Sequence, residues 1–452
     1  MLKTILLYVF LFSILSYSYA DNLQIGSYGR IGINSNLKGG RTKEIKVVSH
    51  SSRIEESPYQ EIYFKYDFSS KTATKNNIRN ELNFAIAFDD SIFHYNGNFK
   101  VKSAIRNFYL NSKNLIKGLN LWVGSRMYRG DDIYLLDFWP LDNLNTLGAG
   151  LCYKIGNTLI KFHTGTNRLD QGNKKDSYQL LYYTVPLRDK IGTQKIIILN
   201  RQKYIADLSF SHKLKDFKFK FYTELHRISK SDYKYENQNY TLPQDGGFLL
   251  GTQVTYLGFG KNNFIHLFFK YSSALAAYGE LGIPYDLNRD NKTSGAKEIL
   301  LGLSFNLEKN NFGIMAGSYI RSFKDADASE YDNDDISEGI VDIRFLYYIS
   351  DFFHISTELS YQRLSYKNLD SITLKQEIPQ IFKFMLLPTI SPNGRGNYTQ
   401  PKISLVYGLS LYNNSAEKII DPLYLDNEEI SPETWENLSH YIGITAQWWF
   451  NN

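Results

Sequence analysis

The densest collection of residues able to do chemistry lies between Ala104 and Gly150. Several charges, two tryptophans and a Gly148-Ala149-Gly150 turn follow one another there in an unusual order. Bond-making chemistry finds no support in that stretch or elsewhere: the chain has no Gly-x-Ser-x-Gly elbow, no His-Glu-x-x-His helix and no Walker loop. The eight histidines are scattered singly, and His226 and His354, at strand positions, read as solvated polar groups sooner than as catalysts. Cys152 is the only cysteine, which excludes an intramolecular disulfide and removes most support for zinc or thiol-redox chemistry. The acidic run Asp325, Asp327, Glu330, Asp332, Asp334 and Asp335 invites a calcium reading. Its spacing fails, because Glu330 stands where the loop needs glycine and Ile336 takes the twelfth position, so a solvated loop is the better reading. No catalytic residue, metal site or cofactor is assigned, and the chain reads as a non-enzyme.

The elements that must position these residues alternate with period two. Phe217, Phe219, Phe221 and Leu225 share one face of a segment whose other face carries Lys218, Lys220, Tyr222 and Glu224. Leu82, Phe84, Ile86 and Phe88 do the same against Asn83, Ala85 and Ala87. Val341 to Tyr361 reads as a hairpin turning at Ser350-Asp351. Alternation alone fits a soluble sandwich as well as a barrel wall between lipid and water. Long polar stretches, such as Asn34 to Ser52 and Asn413 to Glu436, alternate with short turns, as they do at the two ends of an outer-membrane barrel.

The ends of the chain point the same way. Lys3, the apolar run Ile5 to Leu15 and the small-residue end Ser18-Tyr19-Ala20 read as a secretory signal peptide over residues 1–20, leaving one domain over 21–452. Beyond it no apolar run reaches the roughly 20 residues of a spanning helix, and mean hydropathy is −0.35. A membrane location then requires a barrel. The 35 Tyr and 29 Phe suit strands and interfacial girdles, and the terminal Trp448-Trp449-Phe450 suits such a girdle. A net charge of +5 is small for 452 residues and gives no reason to expect nucleic acid as a partner.

Within the opening stretch, Arg106, Lys113-Asn114-Leu115-Ile116, Leu121 to Gly124, Tyr128, Asp132, Asp137-Phe138 and Gly148-Ala149-Gly150-Leu151 recur in the order and nearly the spacing found in maltoporins. Gly26-Ser27-Tyr28-Gly29-Arg30-Ile31-Gly32, Tyr59-Gln60-Glu61-Ile62 and Tyr398-Thr399-Gln400-Pro401-Lys402-Ile403 resemble further motifs of that family. The resemblance implies an all-β transmembrane antiparallel barrel of about 18 strands, a homotrimer in the bacterial outer membrane, and an inward-folded constriction loop, placed at Tyr128 to Thr146. About 24 residues per strand and connection fits that count.

A pyranose has apolar ring faces and a rim of hydroxyls, so a passage for it needs rings to stack on and charged groups to replace lost water. The resemblance implies sugar-stacking aromatics at Tyr28, Tyr59, Trp139, Phe248, Tyr398 and Trp449, and a polar track of Arg30, Arg53, Glu61, Arg106, Arg129, Asp132 and Asp137. Arg129 is one residue early against the family's track arginine, so strand alternation can turn it the other way. A further ring, reaching in from a neighbouring subunit, is implied among Phe93, Tyr95 and Phe99. The implied function is facilitated diffusion of maltodextrins or other di- and oligosaccharides, with outer-membrane lipid around the wall. A basic ladder of Arg30, Arg53, Arg106 and Arg129 leaves open a general or anion-preferring porin, and the loops leave open a surface barrel that binds a partner.

Overall fold

The computed structural model describes residues 22–451, apart from 38–39, 41, 43, 69–77, 90–100, 168–179, 184–194, 199–201, 236–237, 280–281, 283, 285–286, 291, 328–334, 368–375 and 421–436. The signal peptide, the Phe93 to Phe99 ring and Glu330, Asp332 and Asp334 of the acidic run therefore lie outside the described residues.

Eighteen strands form one closed antiparallel sheet. They are β1 (Leu23–Ser35), β2 (Tyr59–Asp67), β3 (Arg79–Asp89), β4 (Lys102–Lys113), β5 (Leu119–Arg129), β6 (Asn143–Ile155), β7 (Thr158–Asn167), β8 (Lys203–Leu214) and β9 (Phe217–Ile228). The circuit continues through β10 (Asp245–Tyr256), β11 (Phe264–Ala274), β12 (Lys297–Lys309), β13 (Phe312–Lys324), β14 (Ile336–Tyr348), β15 (Phe353–Tyr366), β16 (Gln380–Ile390), β17 (Lys402–Tyr412) and β18 (Leu438–Asn451). Each strand pairs with its neighbour in sequence, and β18 closes on β1, with Tyr28 opposite Trp449 and Arg30 opposite Gln447. Two short hairpins, Leu180–Tyr183 with Lys195–Ile198 and Ser231–Tyr235 with Gln238–Leu242, stand outside this sheet.

Closure follows from the alternation. The Phe217, Phe219, Phe221 and Leu225 stripe of β9 is exposed on the outer face, while Lys220, Tyr222, Glu224 and His226 are buried on the inner one. The hairpin read from Val341 to Tyr361 is β14–β15, with Val341 opposite Tyr361 and Ile343 opposite Leu359. One end of the barrel carries two-residue turns at 156–157, 215–216 and 310–311, where Gly156, Lys215 and Asn310 take positive φ. The other end carries the long connections.

Several of these connections put residues into the interior, and two of them shape the site. Loop 3 (residues 130–142) spans the interior from β5–β6 to the opposite wall. Its core is a 3-10 turn at Tyr134–Leu136, closed by an Ile133–Phe138 bridge with Asp137 left-handed at φ 47°. The far wall has made room by omitting side chains. A Cβ on Gly317 of β13 would lie 2.7 Å from Ile133 Cγ2, and one on Gly302 of β12 3.2 Å from Ile133 Cδ1. The constriction loop is thus shorter than the Tyr128 to Thr146 expected from sequence, because Tyr128, Arg129 and 143–146 are still paired as strand.

Loop 1 (residues 36–58) lies against loop 3, contrary to the reading of Asn34 to Ser52 as an outlying polar stretch. Ile45, Val47 and Val48 join Ile133, Leu136, Phe138 and Leu141 in one apolar cluster inside the barrel. Polar groups of the far wall hold the loop's backbone: Val47 N donates to Gln362 (3.2 Å), Ser49 N to Glu338 (2.9 Å) and His50 N to the Tyr319 hydroxyl (3.1 Å). Glu55 is fully enclosed and receives the ammonium of Lys383 from β16.

Candidate functional site

The inward residues of β1 and β2 meet the two loops where Tyr28, Arg30, Arg53, Tyr59 and Tyr134 gather. Tyr28 and Tyr59 face each other with ring centroids 6.0 Å apart. The Arg53 guanidinium, carried by a 3-10 turn of loop 1, sits 5.5 Å from the Tyr28 centroid and 4.5 Å from that of Tyr134. Arg30 lies 5.4 Å over Tyr59. Cations and rings therefore alternate around one gap.

Carboxylates balance most of these cations. Arg30 pairs with Glu56 at 2.7 Å and with Asp137 at 3.4 Å, and Arg53 approaches Asp137 at 3.6 Å. Glu61 accepts the hydroxyls of Tyr59 and Tyr63, and Arg106 Nε lies 3.4 Å from it. Arg106 reaches that position because the β3–β4 register shifts between Ala85 and Ile86, leaving Arg106 as the extra residue of a bulge. Burial, helped by Asp137 and opposed by Arg30 and Arg53, lifts the Glu56 carboxyl to about 7. Burial likewise lifts Asp132 to about 6 against the pull of Arg53. His50 is stacked 4.0 Å from Phe138, and burial lowers it to about 4, so its ring is neutral at neutral pH.

The expected aromatics separate into three groups. Tyr28, Tyr59 and Trp449 share the inner face, Trp449 being the register partner of Tyr28. Trp139, in loop 3, is covered by Arg129, whose guanidinium is 3.7 Å from its centroid. Arg129 is the last residue of β5 and senses Arg106, Asp137 and Glu61 electrostatically. Tyr398 stands in a second layer: it packs edge-on to Tyr134 at 4.9 Å, beside Leu135, Met315, Leu346 and Tyr348.

Phe248 is a correction. It pairs with Leu225 on the outer, lipid-side stripe and touches Tyr271 there, while its neighbour Leu249 points inward and is buried. A slip of one residue near Gly246-Gly247 reverses the face.

Several residues of this region escaped the sequence reading. Glu56 and Tyr134 are loop residues with no periodicity to place them. Tyr63 and Tyr109 were lost among many similar rings. A second cluster lies along the wall, where the Arg126 guanidinium sits 4.7 Å from the Tyr109 ring, 5.2 Å from Trp122 and 4.6 Å from Tyr128. Its even numbering with Trp122 and Tyr128 was the signal that could have found it. Glycines make this cluster possible: a Cβ on Gly150 would meet Trp122 Nε1 at 2.6 Å, and one on Gly165 would meet Thr146 at 2.7 Å. Two spaces that share Lys65, Asn83 and Tyr109 in their linings lie beside these residues. One, of 620 Å³, is lined by Tyr28, Tyr63, Lys65, Tyr109 and Trp449, and the other, of 330 Å³, by Lys65, Tyr109, Trp122, Arg126 and Lys161.

The LamB porin family profile matches residues 23–450, nearly the whole described chain. The chain belongs to the LamB porin family. No curated protein matches it. Among solved structures, Acinetobacter baumannii OccAB4 is similar at 8% identity, covering 95% of this chain and 98% of the other, with a TM-score of 0.48. Pseudomonas aeruginosa OpdO is similar at 9% identity (95% and 97% covered, TM-score 0.44). Vibrio cholerae OmpT in its trimer form is similar at 10% identity (95% and 100%, TM-score 0.37). At that level these similarities speak to neither substrate nor assembly. As a LamB porin with a closed barrel, the protein is a channel of the bacterial outer membrane, with its short turns toward the periplasm.

Proposed function

We propose that this LamB porin is a sugar-selective channel for facilitated diffusion of maltodextrins or other di- and oligosaccharides, working as a homotrimer. One observation carries the reading: Tyr28 and Tyr59, 6.0 Å apart with Trp449 in register beside Tyr28, are flanked by Arg30, Arg106 and Glu61 on the same inner wall and by Arg53 from loop 1. The rings offer stacking faces to a pyranose, and the charged groups replace the water its hydroxyls lose. Each contact is weak and repeated, as release on the far side requires.

Three rungs of the basic-ladder alternative, Arg30, Arg53 and Arg106, each have a carboxylate within 4 Å, which weakens it, while the fourth, Arg129, has none among the described residues. In planar bilayers, maltotriose should reduce ion current saturably. Tyr28→Ala or Trp449→Ala should raise the half-blocking concentration about three- to tenfold, the worth of roughly 0.5–1.5 kcal/mol of ring contact. Conductance indifferent to a panel of sugars, combined with strong anion selectivity, would overturn the sugar reading.

A further inference from the structure

Below the constriction, the 330 Å³ pocket is lined by Lys65, Lys113, Arg126 and Lys161 against a single carboxylate, Glu81. Lys113 already pairs with Glu81 at 2.7 Å. Lys161 shares Asp142 with Lys220, at 3.4 and 2.9 Å, so one of those two cations is unbalanced. Arg126 and Lys65 have no carboxylate within ion-pair distance and no side-chain hydrogen bond among the described residues. At the constriction, by contrast, Arg30, Arg53 and Arg106 each have a carboxylate within 4 Å, and Arg129, which has none among the described residues, lies over Trp139.

Three rings hold the Arg126 guanidinium at 4.6–5.2 Å while its N–H donors remain unspent. A cation partly withdrawn from water and left without a counter-ion is a cost to the free protein that an arriving anion relieves. The planar fork of an arginine matches the two oxygens of a carboxylate or phosphate. Location makes the pocket relevant to transport. It shares Lys65, Asn83 and Tyr109 with the larger space that holds Tyr28 and Trp449, so a sugar stacked on those rings can place a substituent beside Arg126.

We propose that this pocket is a subsite for the anionic group, carboxylate or phosphate, of an acidic sugar. The proposal rests on the sugar-channel reading and narrows its substrate class from neutral oligosaccharides to charged ones.

The test compares current block of the full-length reconstituted protein by trigalacturonate and by maltotriose, and by glucose 6-phosphate and by glucose. At low salt the acidic member of at least one pair should block at a concentration at least tenfold lower. The pair that responds tells carboxylate from phosphate. Arg126→Gln and Lys65→Gln should each cut that advantage severalfold, and Arg126→Gln, at a residue that does not line the space around Tyr28 and Trp449, should leave maltotriose block unchanged. Two variants are used so that failure of one to assemble leaves the other to decide. Equal potency of acidic and neutral probes, with maltotriose still blocking, would overturn the subsite while sparing the sugar channel. An acidic advantage that survives both substitutions would also overturn it. Absence of block by every sugar would overturn the parent reading together with the subsite.

Discussion

Glu56 joins the charge balance of the constriction to pH. Its partner Arg30 comes from β1, and Arg53, Asp137 and Glu44 are the other charges acting on it. Because burial raises its carboxyl to about 7, it is ionised above that pH and neutral below it. The sign is then fixed: as pH falls from 8 to 6 the gap loses one negative charge beside an arginine that stays charged, so anion preference must rise. Asp132, held up to about 6, extends the same trend to lower pH. Reversal potentials under a salt gradient should shift toward anion selectivity over that range. Glu56→Gln should hold the channel at its low-pH selectivity throughout, and an unchanged pH dependence in this variant would exclude Glu56 as the titrating group. Single residues are also where sequence reading was weakest. Tyr28, Tyr59 and Arg106 were placed because they sit on strands with a motif around them. Phe248 failed because a one-residue slip on a strand exchanges lumen for lipid, and Glu56 because a loop has no period to read.

At the scale of elements, the barrel interior is a small core built from loops. Loop 3 was legible from its motif, though not its limits, since strand pairing continues to Arg129 and resumes at Asn143. The inward course of loop 1 was not legible, because its three buried aliphatics, Ile45, Val47 and Val48, sit in an otherwise polar stretch whose backbone is held by residues more than 260 positions away in β13, β14 and β15. The enclosed Glu55–Lys383 pair is the loop's charged anchor. Burial already lifts the Glu55 carboxyl to about 7 against the pull of Lys383. Lys383→Met removes that pull, and an uncompensated buried carboxylate costs about 3–5 kcal/mol. The penalty falls on the ionised form, so it should be largest above pH 7 and relieved as acid protonates Glu55. Single-channel records at pH 8 should show higher conductance and more flicker than wild type as loop 1 leaves the lumen, and the two should converge near pH 5. A variant whose traces match wild type at pH 8 would mean that the backbone bonds to Gln362, Glu338 and Tyr319 hold the loop unaided.

For the whole molecule, strand period gave the two-faced strands, while the closed barrel and its count of about 18 came from the family resemblance, with which chain length agrees; each residue of such a wall must face either lipid or the polar interior. That requirement is what made β9 and the β14–β15 hairpin readable without any long-range information. It also implies an asymmetry that a substitution can measure. Leu301 lies mid-strand in β12, exposed on the outer face between Phe269 and Ile320. An arginine there must remain near the bilayer midplane or distort the lipid to reach water, at a cost of about 2–4 kcal/mol. Leu301→Arg should therefore lower the equilibrium stability of the barrel refolded in lipid vesicles by that amount. The loss should shrink toward about 0–1 kcal/mol for the same substitution at Phe312, the first residue of β13 beside a two-residue turn, where headgroups and water are within reach. Equal losses at the two sites would mean that the outer stripe is not the lipid-facing surface. The inner assignments of Tyr28, Arg30 and Arg126, which depend on the opposite parity, would then fall with it.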